Sequence, residues 1–538
     1  MHGSGGAVAS AAPAATEAGI KILRAGGSAA DGAVAVALAL AVVHPQAGNL
    51  AGGGFAVVRR GTDLAALDFR ETAPAAASRD MYLDEEGKPV RERSLVGPLA
   101  AGVPGSPAGL FELHRRYGRM PWAEVVAPAI RLAREGFPVT RRLHRDLHAH
   151  RELLSSFPET ARVWLPDGEP PEPGSVMRLP RLADALEAYA ERGPEALTRG
   201  PLADAVVEAS RRHGGILTAE DLASYRPVWR QPLVFQAGEW RAATMPLPSS
   251  AGVILGQGFW LLHRLDWASL PPGGAERAHL LAEVWRRSYA DRVQLGDPEV
   301  SHAREADLLA EGWLQRRAAG ISRTSATPSE QVGVWVPGGE ESPETTHLSV
   351  VDGEGNAVSL TTTLNGSFGC GLLVGELEML LNNEMDDFAA APGRPNLYGL
   401  VQGEANAVAP GRRMLSSMAP VVAWRGGDIL VLGSPGGSRI PTAVTQVLAA
   451  AVWDEDPLLK AVSRPRLHHQ WLPDEVAAEA DALSPESRAE LERRGHRVRT
   501  VPRLGEVHAV RRWADGQVEA AADPRGPGSA AVVAPGAP

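Results

Sequence analysis

The chain has 538 residues, 44% of them hydrophobic and 22% charged, which suits a large soluble enzyme folded as two or more domains or as one intertwined body. Its net charge of −10 leaves no basic surplus for phosphates and argues against a nucleic-acid partner. Cys370 is the only cysteine, which rules out an intramolecular disulfide, and Lys21, Lys88 and Lys460 are the only lysines, a bias that fits either genome composition or heat adaptation.

From Val8 to Val43 the pattern is helical and rich in Ala and Gly, as tightly packed buried helices require. The apolar run Ala33 to Val43 follows Asp31 and is too short to cross a bilayer. No signal peptide is visible at Met1, so the expected location is the cytoplasm, or outside it or in the periplasm if the start has been trimmed. Asn49 to Val58 reads as a Gly-rich turn entering a strand. A phosphate-cradling loop would need a following helix and a Lys-Ser/Thr pair, and it has neither. Leu64 to Phe69 is the next expected strand, and it delivers Arg70-Glu71-Thr72-Ala73-Pro74. Arg70 is either a surface ion-pair partner or a guanidinium that grips a carboxylate with two prongs.

Residues 107–136, 180–213 and 275–320 are expected to be mostly amphipathic helix, with Thr218 as an N-cap. His144, His148 and His150 sit among Arg141, Arg142 and Arg145, which favours a polar helix face over a metal site. Asp291 to Ser322 reads as charged helix and loop with no visible chemistry.

The segment Val336 to Glu344 is an acidic, flexible loop by composition, and it ends at Thr345. Two runs rich in β-branched residues follow, Thr345 to Val351 and Ala357 to Thr363, around Asp352-Gly353-Glu354-Gly355-Asn356: a β-hairpin. Centring the loop on Glu354 pairs Val351 with Ala357, His347 with Thr361 and Thr345 with Thr363. Alternation then puts Thr345, His347, Ser349, Ser359, Thr361 and Thr363 on one face. Leu348, Val350, Val358 and Leu360 lie on the other, against a core. The hydroxyl face is either a solvated strand surface or a site. A Thr hydroxyl becomes a nucleophile when a base lies beside it, and the α-amine of the same residue, freed by a cut before Thr345, titrates at roughly 7.7 to 8.0.

Beyond the hairpin the texture changes to short strands and glycine turns. Glu384, Asp386 and Asp387 form an acidic cluster without His or Cys, better suited to an ammonium group than to a metal. Ala389 to Gly411, containing Tyr398, has the length and composition of a lid. Ser416-Ser417 follow, then the strand-like Ile429 to Leu432 and Ser434-Pro435-Gly436-Gly437, whose glycine amides can approach a ligand closely and donate to an oxyanion, or form an ordinary tight turn. Ser434 lacks the preceding glycine of a nucleophile elbow. His468-His469 read as structural, Ser484 starts a helix to Arg494, and Val507 to Ala521 reads as a closing hairpin.

Thr345 to Asp352, Thr363-Leu364-Asn365, Leu381 to Phe388, Leu415 to Met418 and Gly433 to Arg439 together resemble the γ-glutamyltransferase family, in the same order along the chain. The resemblance implies an α/β (α+β) fold, the four-layer αββα sandwich of the N-terminal nucleophile hydrolases. It also implies self-cleavage between Glu344 and Thr345, giving a large subunit (1–344, ending in a linker at 324–344) and a small one (345–538) that stay together as a heterodimer. The implied donor is a γ-glutamyl amide such as glutathione, the acceptor water or an amino acid or peptide amine, with no cofactor, no metal and no membrane. Arg70, Ser416 and Ser417 would meet the donor's α-carboxylate, and Asn365, Glu384 and Asp387 its α-ammonium, Glu384 standing where some members have Gln. Thr345 would attack, Thr363 would orient it, Gly436 and Gly437 would hold the oxyanion, and Tyr398 resembles the aromatic tip of a lid. A cephalosporin (glutaryl) acylase, a relative acting on poly-γ-glutamate and an uncleaved homologue that only binds γ-glutamyl compounds are the alternatives.

Overall fold

The computed structural model describes residues 1–301, 303–333, 345–393 and 402–533. Two seven-stranded antiparallel sheets lie face to face. In the first the order is His2–Ser4, Gln517–Ala522, His508–Arg512, Asp428–Gly433, Val421–Arg425, Trp240–Thr244 and Leu233–Ala237. In the second it is Ser529–Val532, Ala7–Ser10, Thr346–Val351, Ala357–Thr363, Gly53–Arg60, Asp63–Asp68 and Val228–Arg230. The segments before and after Thr345 both supply strands to both sheets, so they form one interwoven body.

The hairpin has the register read from its sequence: Val351 pairs with Ala357, His347 with Thr361 and Thr346 with Thr362. Its turn is held by Asp352, whose Oδ1 accepts from the amides of Glu354 and Asn356 at 3.0 Å each. Asp352 Oδ2 also accepts from the Ala29 amide at 3.0 Å, which places a carboxylate at the N-terminus of the helix Ala29–Val43. That helix is buried along its whole length, beside the helix Pro13–Arg24. Leu348, Val350, Val358 and Leu360 pack on this outer layer. The opposite outer layer is built from Ala251–Arg264, Ala275–Arg292 and Ile440–Val452 against the first sheet. These are the four layers.

The hydroxyl face of the hairpin is the inner one, and it is buried. Ser349 Oγ donates to the His508 carbonyl and Ser359 Oγ to the Leu432 carbonyl, each at 3.0 Å, both on the facing sheet. This overturns the solvated reading. Because Ser349 spends its proton on His508, it accepts from His347 Nε2 at 3.0 Å, and His347 Nδ1 accepts from Thr361 at 2.9 Å. Burial and the neighbouring His508 push His347 well below the usual histidine range, so the imidazole is a neutral strut between sheets.

The Gly-rich entry at 52–54 exists for close approach. A Cβ on Gly52 would lie 2.2 Å from the Thr363 carbonyl, and one on Gly54 2.4 Å from that of Thr361. The expected helix over 275–320 is broken: it runs over Ala275–Arg292 and resumes at Glu305–Leu308 and Glu311–Ala319. Gly296 interrupts it, since a Cβ there would lie 1.9 Å from the Ala405 carbonyl, and Pro298 follows. The stretch 180–213 likewise splits at Gly193 and Gly200, whose φ angles are 63° and 72°. His144 and His150 bind the carbonyls of Pro171 and Asp146. Among the described residues no helix is long and apolar enough to cross a membrane.

Candidate active site

The open end of the hairpin forms one wall of a cavity of about 290 Å³. Arg70, Arg292, Thr345, Thr363, Asn365, Glu384, Asp387, Ser416, Ser417 and Gly437 line it, with Met418 and Ile440 as its apolar side. Most of the residues singled out in the sequence therefore converge there. Gly436 does not line it, although its turn does through Gly437. Tyr398 and Glu344 lie outside the described residues.

Thr345 is buried, and its hydroxyl lies 3.3 Å from that of Thr363. Thr363 is itself fixed, because its Oγ accepts from the Asn365 amide at 2.8 Å. The strand end that carries it is pinned by Asn49, whose Nδ2 donates to Thr362 Oγ at 3.1 Å and to the Thr363 carbonyl at 2.8 Å. Asn365 adopts a left-handed backbone, φ 73°, and its Nδ2 donates to the Asn383 carbonyl at 3.0 Å, tying the hairpin to the acidic turn. That turn is seated by Asn382, which donates to the carbonyls of Ala51 and Gly102 and accepts from the Glu384 amide.

Arg70, at the end of Asp63–Asp68, is only 1% exposed. It is no surface residue: its guanidinium bridges the carboxylates of Glu384 and Asp387. The three groups assigned from the resemblance to opposite ends of one ligand thus hold one another. Burial opposes the charge of Arg70, but Glu384 and Asp387 more than offset it and hold the group above its ordinary range. Asp386 turns away and accepts from Ser94 Oγ at 2.6 Å.

Beneath this pair lies Glu71. Both of its carboxyl oxygens are buried without a hydrogen-bond partner among the described residues, as is Glu384 Oε2. Burial, then the charge of Glu384, pushes Glu71 well above the usual carboxylate range. Glu384 is pushed up to about 8, by burial first, with Arg70 opposing and Asp387 adding. One proton shared between Glu71 and Glu384, both raised above the usual carboxylate range, would supply the missing donor. The cavity then carries two guanidiniums and two carboxylates, a neutral set matched to a zwitterion.

On the opposite wall Ser416 is held by its backbone: its amide donates to the Pro248 carbonyl, and its carbonyl accepts from the amide and hydroxyl of Ser250, at 2.8 Å each. Ser417 Oγ is buried with no partner among the described residues. The turn after Asp428–Gly433 bends through Gly436 and Gly437, φ 130° and 55°, which side chains rarely adopt. Neither glycine amide is a donor among the hydrogen bonds of the described residues, leaving both free for an acceptor. Ser434 donates to the Pro435 carbonyl and accepts from the Glu506 amide, so it is a turn brace.

A family model described as gamma-glutamyltranspeptidase matches residues 15–533. The chain belongs to the gamma-glutamyltranspeptidase family. The glutathione hydrolase proenzyme of Escherichia coli K12 is 42% identical over 97% of this chain and 90% of its own, and that of Pseudomonas aeruginosa 41% over 99% and 95%. Among solved structures, a cephalosporin acylase from Bacillus halodurans superposes with a TM-score of 0.85 at 26% identity, covering 99% of this chain and 96% of its own. The αββα sandwich of this family member is therefore shared with its neighbours.

Three residues of this gamma-glutamyltranspeptidase site escaped the sequence reading: Asn49, Glu71 in its proton-sharing position, and Arg292. The last falls within the stretch read as lacking visible chemistry, which the cavity corrects. Its one sequence sign is that the helix Ala275–Arg292 carries apolar residues at every turn, so the charges between them had to be buried.

Proposed function

We propose that this protein is a γ-glutamyltransferase and glutathione hydrolase whose nucleophile is Thr345, exposed as a chain terminus by self-cleavage after Glu344. The observation that carries this reading is the cavity itself. A Thr at the start of a strand, 3.3 Å from a second fixed hydroxyl, shares one cavity with two guanidiniums and two carboxylates.

In self-cleavage, Thr345 Oγ attacks the carbonyl carbon of Glu344 and the peptide C–N bond breaks, giving an ester and a free α-amine. Water then attacks the ester and releases the Glu344 carboxylate and the Thr345 hydroxyl. The fragments 1–344 and 345–538 stay together as a heterodimer, since each contributes strands to both sheets. In turnover the α-amine takes the Oγ proton, Oγ attacks the γ-carbonyl of the donor, and the amides of Gly436 and Gly437 receive the negative charge that develops on oxygen. The leaving amine takes the proton from the Thr345 ammonium. Water or an amino acid or peptide amine resolves the γ-glutamyl ester by the reverse path. Arg70, Ser416 and Ser417 hold the α-carboxylate, and Asn365, Glu384 and Asp387 the α-ammonium, so that the ligand's two charges meet groups that also pair with one another.

The neutral charge set supports a zwitterionic glutamyl group over the glutaryl chain of a cephalosporin acylase, which brings no ammonium for Glu384 and Asp387. Turnover of γ-glutamyl and glutaryl p-nitroanilides compares them directly. The reading expects γ-glutamyl to be favoured by tenfold or more, from about 1.5 to 3 kcal/mol for each charged hydrogen bond. A preference for glutaryl overturns it, and an uncut chain that turns over neither substrate is the silent binder.

A further inference from the structure

Arg292 ends a buried helix, and its side chain is 2% exposed on the cavity wall. It forms no ion pair among the described residues, and its Nη1 is buried without a hydrogen-bond partner there. A guanidinium in that state is costly unless something occupies it. Its Nε donates to Ser250 Oγ at 3.0 Å, and Ser250 in turn donates to the Ser416 carbonyl at 2.8 Å. The side chain is thereby fastened under the Ser416-Ser417 turn, where Ser417 Oγ is likewise unpartnered. Burial lowers Arg292 to about 10, with Asp387 opposing the fall, so it stays charged at neutral pH. Arg70, by contrast, already bridges Glu384 and Asp387.

We infer that Arg292 is a second cation of the donor's α-carboxylate subsite and a specificity-determining residue for donors that carry that group. Arg292 and Ser417 line one cavity, and each has an unpaired buried donor, Nη1 and Oγ, for a carboxylate to take up. The inference rests on the γ-glutamyl reading and extends it to a residue in the half of the chain before Thr345. Arg70 then divides its charge between the two carboxylates and the ligand's, and Arg292 supplies a second charge for the ligand's α-carboxylate.

The test is an NMR titration of the protein as purified with L-glutamate, with 4-aminobutyrate (glutamate without its α-carboxylate) and with glutarate (glutamate without its amine). Arg292→Met should weaken L-glutamate and glutarate by about ten- to a hundredfold, the range for a lost charged hydrogen bond, and leave 4-aminobutyrate within about twofold. Arg292→Lys should lie between the two. Equal weakening of all three ligands, an unchanged Kd for L-glutamate, or no L-glutamate binding by the wild type overturns the inference. If the Met variant fails to fold, as thermal unfolding reports, the same ratio in the Lys variant decides. Binding is read without turnover, so a wild type that binds L-glutamate but leaves γ-glutamyl anilide intact defeats the catalytic reading and spares the subsite.

Discussion

Replacing Arg70 by Met separates the structural from the ligand-binding role of the central guanidinium. The substitution keeps the approximate length of the side chain and removes a charge that bridges Glu384 and Asp387 in a fully buried setting. Breaking a buried pair by deleting one partner costs about 3 to 5 kcal/mol, because the remaining charge is left uncompensated. Unfolding entropy near about 2.1 cal/mol/K per residue, applied to the 538-residue chain, gives about 1.1 kcal/mol/K, so Tm should fall by about 3 to 5 °C. The loss must also depend on pH. At pH 5 the carboxyls left by Arg70→Met hold protons and the cost shrinks, whereas at pH 9, above the value of about 8 that Glu384 has beside Arg70, the wild type ionises the group and the variant does so only at a penalty. Adding Glu384→Gln to Arg70→Met removes one orphan and should restore part of the loss, a coupling of about 1 kcal/mol or more. Calorimetry of the three variants at both pH values is the assay. An Arg70→Met protein whose Tm lies within 1 °C of the wild type at pH 9 would refute the reasoning, since it would mean that the cavity does not depend on that pair.

Thr363→Val preserves shape but deletes the hydroxyl beside Thr345 and orphans the Asn365 amide, at about 1 to 3 kcal/mol for the buried donor. Self-cleavage and kcat should both slow by about tenfold or more while KM changes little, and stopped time courses on gels together with initial rates would show it; Thr363→Ser should recover most of the loss. Glu384 has its folded pKa raised to about 8, so the stability linked to its proton is full below its unfolded value, near about 4.5, and is lost as pH rises toward 8. Binding an α-ammonium needs the charged form, so KM for a γ-glutamyl anilide should fall as pH rises from 6 to 8. Glu384→Gln should flatten that dependence and leave the limb of kcat that belongs to the α-amine. A KM profile in the Gln variant as steep as in the wild type would assign the titration elsewhere.

The parts of the site that lie along one strand or one turn were legible before any coordinates. Period-two alternation gave the pairing of His347 with Thr361 and the sidedness of Thr345 and Thr363, because a one-residue slip would have put Leu348 and Val350 on the polar face. Glycine needs no Cβ, and the turn at Gly436 and Gly437 was readable for that reason. What the pattern does not carry is long-range company. Arg70 meets Glu384 and Asp387 more than 300 positions away, and nothing local tells a guanidinium that will bind substrate from one already paired. The role of Arg292 was hidden for the same reason, inside a helix whose charges suggest a solvated face until the two sheets and their outer layers close over it. The hairpin's hydroxyl face read equally as a solvated surface or a site for want of the second sheet, which supplies the carbonyls of His508 and Leu432 to Ser349 and Ser359.

Intact-mass spectrometry and Edman sequencing of active protein, beside Thr345→Ala, read the peptide link before Thr345 directly. The account predicts two species in the active sample, one of which begins at Thr345, and a single uncut chain without activity in the variant. Full activity from wild-type protein whose Glu344 and Thr345 remain joined would contradict it.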